Sequence, residues 1–429
     1  MPNPGPAHEQ PRVVIVGAGF GGLACAKQLA GKPVSVTVVD RRNYHLFVPL
    51  LYQVATAALS PADIARPVRR ILGKYRNIDV VLGEAVGLDA ATRTLRLADG
   101  ATLAYDRLIV ATGSDYSYFG HPEWARDAPG PRTLEDARRI RARLLTAFER
   151  AESTREGAER DVLMTTVIVG GGPTGVEMAG AVAELTRHAL ARDFHHIDPA
   201  RAPIILVEAG ARVLSTFPPA LSDYAMAALK KLGVTVMTDQ AVEAIGAGAV
   251  RVAGREIRAG TVIWGAGIQA SPAGRWLGAE TDRAGRILVD PDLSVRGLTQ
   301  VYALGDTALA ADAAGQALPA LAQVAKQQGD YLGRALAREF AGKGRSPPFR
   351  FRNRGNTAII GRHAAVYDFG WWRLKGRLAW LLWALIHVYL LVGFDNRVRV
   401  TVQWIWLYLT YERGARLVMS DGDSAPPNR

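Results

Sequence analysis

Two blocks of the chain carry the same succession of apolar and small residues. Residues 12–30, RVVIVGAGFGGLACAKQLA, run from a continuous apolar stretch through a glycine-rich turn into an alanine-rich stretch. Residues 165–185, TTVIVGGGPTGVEMAGAVAEL, repeat that order. A short apolar run bounded by glycine predicts a buried strand, and the longer alanine-rich run predicts a helix. Each block is followed by a further apolar run that ends on an acid, VSVTVVD at Asp40 and IILVE at Glu208. YDRLIVATGS and GLTQVYALGDTA predict two more buried strands, which end in turns at 111–113 and 305–306. Strands that alternate with helices in this way predict an α/β fold with parallel sheets.

The turns carry candidate chemistry. Gly17, Gly19 and Gly22 fill a G-x-G-x-x-G pattern between a strand and a helix. The first glycine makes the tight turn, the second lets a pyrophosphate approach the backbone, and the third lets the helix pack on the strand. The helix N-terminus then offers unpaired N–H groups to phosphate. Asp40 follows Gly22 by 18 residues, a spacing that suits a carboxylate on an adenosine ribose. Gly170, Gly172 and Gly175 form the second copy, with Glu208 as its acid. The longer gap of 33 residues is accounted for by an inserted loop, ARDFHHIDPARAP. Glu208 would repel a 2′-phosphate, which favours NAD(H), although Arg212 lies close by in sequence.

Two Rossmann-like dinucleotide-binding domains in one chain imply two dinucleotides and electron transfer between them. Asp306, at the end of the late strand, suits a ribityl hydroxyl, and Thr112 and Gly113 close another strand of the same unit. Both features assign FAD to the first unit and NADH to the second. The expected FAD cradle comprises Gly17, Gly19, Phe20, Gly22, Asp40, Arg41, Ala85, Thr112, Gly113 and Asp306. The expected NADH cradle comprises Gly170, Gly172, Pro173, Thr174, Gly175, Glu208 and Gly267. The aromatic and apolar stretch RRNYHLFVPLLYQVATAALS, after Asp40, reads either as a segment near the flavin ring or as plain core.

Charge and tryptophan change the picture at the far end. The chain has 429 residues and a net charge of +12. From Ala341 onward there are fourteen Lys and Arg against five Asp and Glu, and six of the nine Trp lie between Trp371 and Trp406. Basic residues beside Trp and Tyr suit an anionic lipid surface. No nucleic-acid reader motif accompanies them, so nucleic acid is not an expected partner. GRLAWLLWALIHVYLLVGF has about seventeen largely apolar residues after Arg377, slightly short for a span, and His387 interrupts it. In the next segment Arg399, Gln403, Trp406, Thr410 and Arg413 form one stripe, and Val400, Trp404, Leu407 and Tyr411 the other. This pattern predicts a helix with a polar and an aromatic face, lying in an interface. A soluble dimer contact and a single membrane span are the alternatives. Cys25, the only cysteine, excludes an internal disulfide and a cysteine-based metal cluster; no metal site is expected. The polar, proline-rich start has no apolar signal-peptide core, which makes the cytoplasm the expected compartment.

The combination of GAGFGGL, NYHLFVPLLYQVATAALSPADIA, VIVGGGPTGVEMAGAVAEL, VYALGD, AQVAKQQG and the basic apolar tail resembles the type II NADH dehydrogenases, single-subunit NADH:quinone oxidoreductases that do not pump protons. The resemblance covers nearly the whole chain. It implies non-covalent FAD, NADH as reductant, a membrane quinone as acceptor, attachment to the cytoplasmic face of the inner membrane, and a homodimer. It places Gln323 and Gln327 at the quinone site, Gln323 also against the FAD, and Glu177 in the NADH site near the nicotinamide as a proton relay. Read alone, the two glutamines are a solvated helix face, and Glu177 is an acid that favours a helix dipole.

The expected division is an FAD-binding part over 1–115, an inserted NADH-binding domain over 116–290, a second FAD-binding part with the quinone-site helix over 291–345, and a membrane-anchoring or dimerising region over 346–429. Sulfide:quinone and disulfide reductases need cysteines that this chain lacks. A reductase of another acceptor, and a nicotinamide- and flavin-binding sensor, remain the competing functions.

Overall fold

The computed structural model describes residues 10–410 and 412–418. In chain order the principal elements begin with β1 (Arg12–Val16), α1 (Phe20–Leu29), β2 (Ser35–Asp40), α2 (Leu51–Ala55), β3 (Ile78–Leu82) and β4 (Arg107–Val110). There follow α3 (Leu134–Ser153), β5 (Thr166–Val169), α4 (Pro173–Glu184), β6 (Ile204–Val207), β7 (Val234–Met237) and β8 (Thr261–Trp264). The chain continues with β9 (Val301–Ala303), α5 (Ala322–Phe340), the hairpin β10 (Asn356–Gly361) and β11 (Ala364–Asp368), then α6 (Arg377–Leu390) and α7 (Phe394–Thr410).

Two compact units emerge. The first gathers residues up to Leu46, Ala65–Asp115 and Ile268–Arg354; the second gathers Phe47–Ile64, Tyr116–Gly267 and residues from Gly355 onward. A five-stranded parallel sheet in the order β9-β4-β1-β2-β3 forms the centre of the first unit. A four-stranded parallel sheet in the order β7-β6-β5-β8 forms the centre of the second. Val13, Val14, Ile15 and Val16 are all buried, as are all four residues of β5. Strands covered on both faces need apolar residues at every position rather than alternately, which is why these runs read as continuous.

The units depart from the expected divisions at three places. Residues 47–64 belong to the second unit, where Phe47, Leu50, Leu51 and Val54 are buried and α2 packs on α3 and α4. Residues 268–290 belong to the first, where Ile287–Leu288 pairs with Ala308–Leu309 and the helix Ala273–Leu277 packs on the strand Ala85–Asp89. The tail is not a separate region. From Gly355 onward it is part of the second unit, with β10 laid against α4.

The tail helices also depart from the expected faces. Helix α7 ends at Thr410, and Arg413 is buried beyond it rather than lying on an outer polar stripe. Tyr411 lies outside the described residues. Val400 is buried and Trp404 and Leu407 are half-buried, so the stripe read as membrane-facing turns inward. The exposed side of α7 carries Val398, Val402, Ile405, Trp406 and Leu409. On α6 the exposed side carries Leu378, Leu381, Leu385 and Tyr389, while Ala379, Trp383 and His387 are buried. These helices are apolar on more than one side, and a two-faced reading cannot tell which side the core takes. His387 stacks on Trp383 at 4.2 Å and its Nδ1 lies 2.8 Å from the Trp383 carbonyl oxygen. Among the described residues no helix is long and apolar enough to cross a membrane.

The glycine turns are built as expected. Gly17 has φ +106° and Gly170 has φ +102°, a region costly for residues with a Cβ. A Cβ on Gly22 would stand 1.8 Å from the Gly17 carbonyl oxygen, and one on Gly175 would stand 1.7 Å from that of Gly170. Positions 19 and 172 are open, with nothing within 4 Å of an added Cβ. In the flavin-free protein Gly22→Ala is therefore expected to lower stability by about 1–3 kcal/mol, whereas Gly19→Ala, which crowds only the space meant for a pyrophosphate, stays within about 0.5 kcal/mol of the parent. Equal thermal midpoints for the two variants would contradict this reading of the turn.

Candidate functional site

The expected FAD residues gather at one edge of the first sheet. Gly17 follows β1, Asp40 ends β2, Ala85 follows β3, Thr112 and Gly113 follow β4, and Asp306 follows β9. That is the carboxyl edge of a parallel sheet, where such folds bind ligands. Asp40 Oδ2 accepts from the Ala18 N–H at 2.6 Å, and its Oδ1 accepts from the Arg42 N–H at 2.8 Å. Ser114 Oγ donates to Asp306 Oδ2 at 2.7 Å. Thr112 lies 2.6 Å from Ser271 and 3.3 Å from Thr307, hydroxyl to hydroxyl. Phe20 opens α1 and meets His45 edge-on at 5.1 Å. Arg41 is an exposed partner of Asp115 at 4.0 Å, an ion pair worth little in water.

The second unit repeats this geometry. Glu208 Oε2 accepts from the Gly171 N–H at 2.5 Å, and its Oε1 accepts from the Gly210 N–H at 2.6 Å. In both units the acid at the end of the second strand ties down the glycine loop and its own following turn. Pro173 and Thr174 open α4, where a proline costs no hydrogen bond. Gly267, with φ +68°, follows β8. Neither Gly19 nor Gly172 caps its helix through a side chain. The open space at both positions and the uncapped first-turn N–H groups fit a pyrophosphate in each unit.

Gln323 and Gln327 share one face of α5 and hold neighbouring backbone. Gln327 Nε2 donates to the Arg352 carbonyl oxygen at 2.9 Å and its Oε1 accepts from the Arg352 N–H at 3.0 Å. Gln323 Oε1 accepts from the Arg354 N–H at 3.1 Å. Gln328, a further residue at this edge, is buried and accepts from the Gly305 N–H at 2.7 Å. Its spacing from Ala325 and Leu332 marked it as a buried-face residue, and a buried amide needs a partner.

The second unit also contains an apolar cavity of about 440 Å³, unforeseen in the sequence. Its walls come from α2, α4, β10, α6 and α7, and its polar lining includes Tyr52, Glu177, Glu184 and Arg413. Glu177, Ala181 and Glu184 share one face of α4. The close approach of β10 rests on Gly180, where a Cβ would stand 1.6 Å from the Ile360 carbonyl oxygen. Glu177 accepts only a long contact from the Ile359 N–H, at 3.4 Å. Removal from water pushes its carboxyl up from 4.5 to about 8, the Ile359 contact opposing only in part. It is therefore mostly protonated at neutral pH. Glu184 accepts from the Arg362 N–H and lies 3.5 Å from Arg413, whose guanidinium also donates to the Thr56 carbonyl oxygen at 2.6 Å. Trp404 Nε1 donates to Gln53 Oε1 at 2.8 Å, and Gln53 Nε2 donates to the Tyr52 hydroxyl at 2.9 Å.

Residues 11–329 match the pyridine nucleotide-disulphide oxidoreductase family. The type II NADH:quinone oxidoreductase NdhA of Mycobacterium tuberculosis is 40% identical over 95% of this chain and 89% of its own length. A second protein of that organism, the type II NADH:quinone oxidoreductase Ndh, is 39% identical over 96% of this chain and 90% of its own. NDH2 from Plasmodium falciparum, solved in complex with NADH, shares the fold with a TM-score of 0.87 at 20% identity, over 96% of this chain and 100% of that one. The sulfide:quinone oxidoreductase of Aquifex aeolicus is more distant, with a TM-score of 0.70 at 16% identity, over 98% of this chain and 100% of that one. The two glycine cradles, the acids that close them and this full-length kinship agree: the chain belongs to the pyridine nucleotide-disulphide oxidoreductases and, among them, to the type II NADH:quinone oxidoreductases.

Proposed function

We propose that the protein oxidises NADH and passes the electrons through FAD to a membrane quinone, without pumping protons. The observation that carries this is the pair of glycine cradles, each closed by its own acid, accompanied by an apolar cavity lined by Glu177. Bound FAD supplies the two-electron exchange between nicotinamide and quinone. The chain's own groups do the rest. In the first cradle Gly17 makes the turn, its N–H held by the Val39 carbonyl oxygen, Gly19 leaves room for the pyrophosphate, Gly22 seats the helix whose first-turn N–H groups face it, and Asp40 takes the ribose. Phe20, Arg41 and Ala85 border the adenosine side, and Thr112, Gly113 and Asp306 the ribityl side. In the second, Gly170, Gly172, Pro173, Thr174 and Gly175 receive NADH, with Glu208 on its ribose and Gly267 beside it. The cavity takes the quinone, and Glu177 hands it a proton. Gln323 and Gln327, which brace the segment at 352–354, keep the role of quinone-side amides.

The outer sides of α6 and α7, with the exposed Trp371 and Trp372, form an apolar surface in the second unit. Arg373, Lys375, Arg377, Arg397 and Arg399 accompany it in sequence. We assign this surface to peripheral attachment on the cytoplasmic side of the membrane, which keeps the enzyme beside a lipid-confined acceptor. A homodimer completes the assembly.

Five outcomes test this reading. The purified protein carries a flavin spectrum and shows sustained NADH:quinone turnover, and Glu208→Ala lowers kcat/KM for NADH about tenfold while narrowing the preference over NADPH. An unchanged NADH constant removes Glu208 from the ribose. Glu177 donates its proton only while protonated, so quinone turnover falls as pH rises through about 8, and Glu177→Gln abolishes that limb. The same group is neutral in the folded state and ionised in the unfolded chain between pH 4.5 and about 8, which costs on the order of 3 kcal/mol at pH 7. Glu177→Gln is therefore expected to raise the Tm more at pH 8 than at pH 5; an equal shift at both would show that Glu177 titrates normally. Finally, Leu385→Glu with Trp406→Glu moves the protein from the membrane pellet to the supernatant with its flavin spectrum intact, and retention in the pellet would place the attachment elsewhere.

A further inference from the structure

The donor directions around Tyr52 are fixed by elimination. An indole N–H can only donate. Trp404 Nε1 lies 2.8 Å from the Gln53 side-chain oxygen, which sets the orientation of that amide. The NH2 of Gln53 must then face Tyr52, 2.9 Å away, and the phenol oxygen accepts from it. The hydrogen of the Tyr52 hydroxyl is not used in that contact and remains a donor. Burial and then the Glu177 charge hold the phenol protonated well above its ordinary range. Tyr52 and Gln53 are buried and line the cavity together with Trp404, beside apolar residues such as Ala181, Ala384 and Ile359.

We propose that Tyr52, oriented by Gln53 and Trp404, donates a hydrogen bond to one carbonyl oxygen of a quinone headgroup in this cavity. The proposal rests on reading the cavity as the quinone site. Tyr52 is thereby a catalytic residue, because its bond strengthens as that oxygen gains negative charge. Gln53 and Trp404 act through it and are positioning residues. The succession of indole, amide and phenol polarises each donor in turn.

The test uses the FAD-loaded protein, a short-chain quinone and a redox-inert quinone analogue. Tyr52→Phe is expected to lower kcat/KM for the quinone about tenfold, relative to the rate at which NADH bleaches the flavin. The same variant weakens equilibrium binding of the analogue. Trp404→Phe frees the Gln53 amide to turn and costs about threefold, and the double variant loses no more than Tyr52→Phe alone. Additive losses overturn the positioning of Tyr52 by Trp404. Unchanged quinone kinetics and analogue binding in Tyr52→Phe overturn the donor role. Ala384→Trp, which fills the cavity, keeps the two readings apart. A raised quinone KM in Ala384→Trp with no effect of Tyr52→Phe removes Tyr52 alone. An unchanged KM in Ala384→Trp removes the cavity as the quinone site, and this proposal with it.

Discussion

The fold depends on backbone meeting backbone at positions without a Cβ. In each nucleotide-binding turn the third glycine lies beneath the carbonyl of the first, at separations a methyl group cannot occupy. That contact sets the helix close to its strand and points its first N–H groups at the space above the sheet edge. The same device recurs at Gly180, where α4 accepts β10 against its backbone. The first two contacts shape the cradles, and the third brings the tail of the chain onto the helix that carries Glu177 and Glu184. Larger side chains at these points would separate the elements that hold the chemistry.

The acids at the strand ends show how short-range bonding supports this arrangement. Asp40 and Glu208 differ by one methylene, yet each accepts one N–H from its glycine loop and one from its own turn. Bonds from backbone N–H to a carboxylate are stronger than those between neutral groups. The acids thus hold the loops in place before any ribose arrives.

Much of this was legible because it is local. Strand, turn, helix and acid lie within some forty residues of one another, and continuous apolar runs report strands buried on both faces. The positions from Gly17 to Asp40 and from Gly170 to Glu208 therefore fall where the sequence placed them. The cavity was not legible, because its walls come from residues as distant as Tyr52, Glu177, Ile359, Trp383 and Arg413. No periodicity along one segment encodes that meeting. Arg413 illustrates the difficulty: its spacing from Gln403 and Thr410 continued an outer stripe, but the helix ends first and the guanidinium turns in to Glu184 and Thr56. Gln327 illustrates another: its spacing alone reads as a solvated helix face, whereas its amide holds the backbone of Arg352.

Cys25 lies fully buried in α1, and burial pushes its thiol up to about 12. A thiolate is the reactive form of cysteine, and almost none exists there at physiological pH. The sequence has no other thiol. This chain of a family named for disulphides thus has no second cysteine with which Cys25 could pair, and maleimide finds little to attack. A single cysteine placed on the surface would react alone, so a spectroscopic label can be attached at one chosen point without altering the native residue.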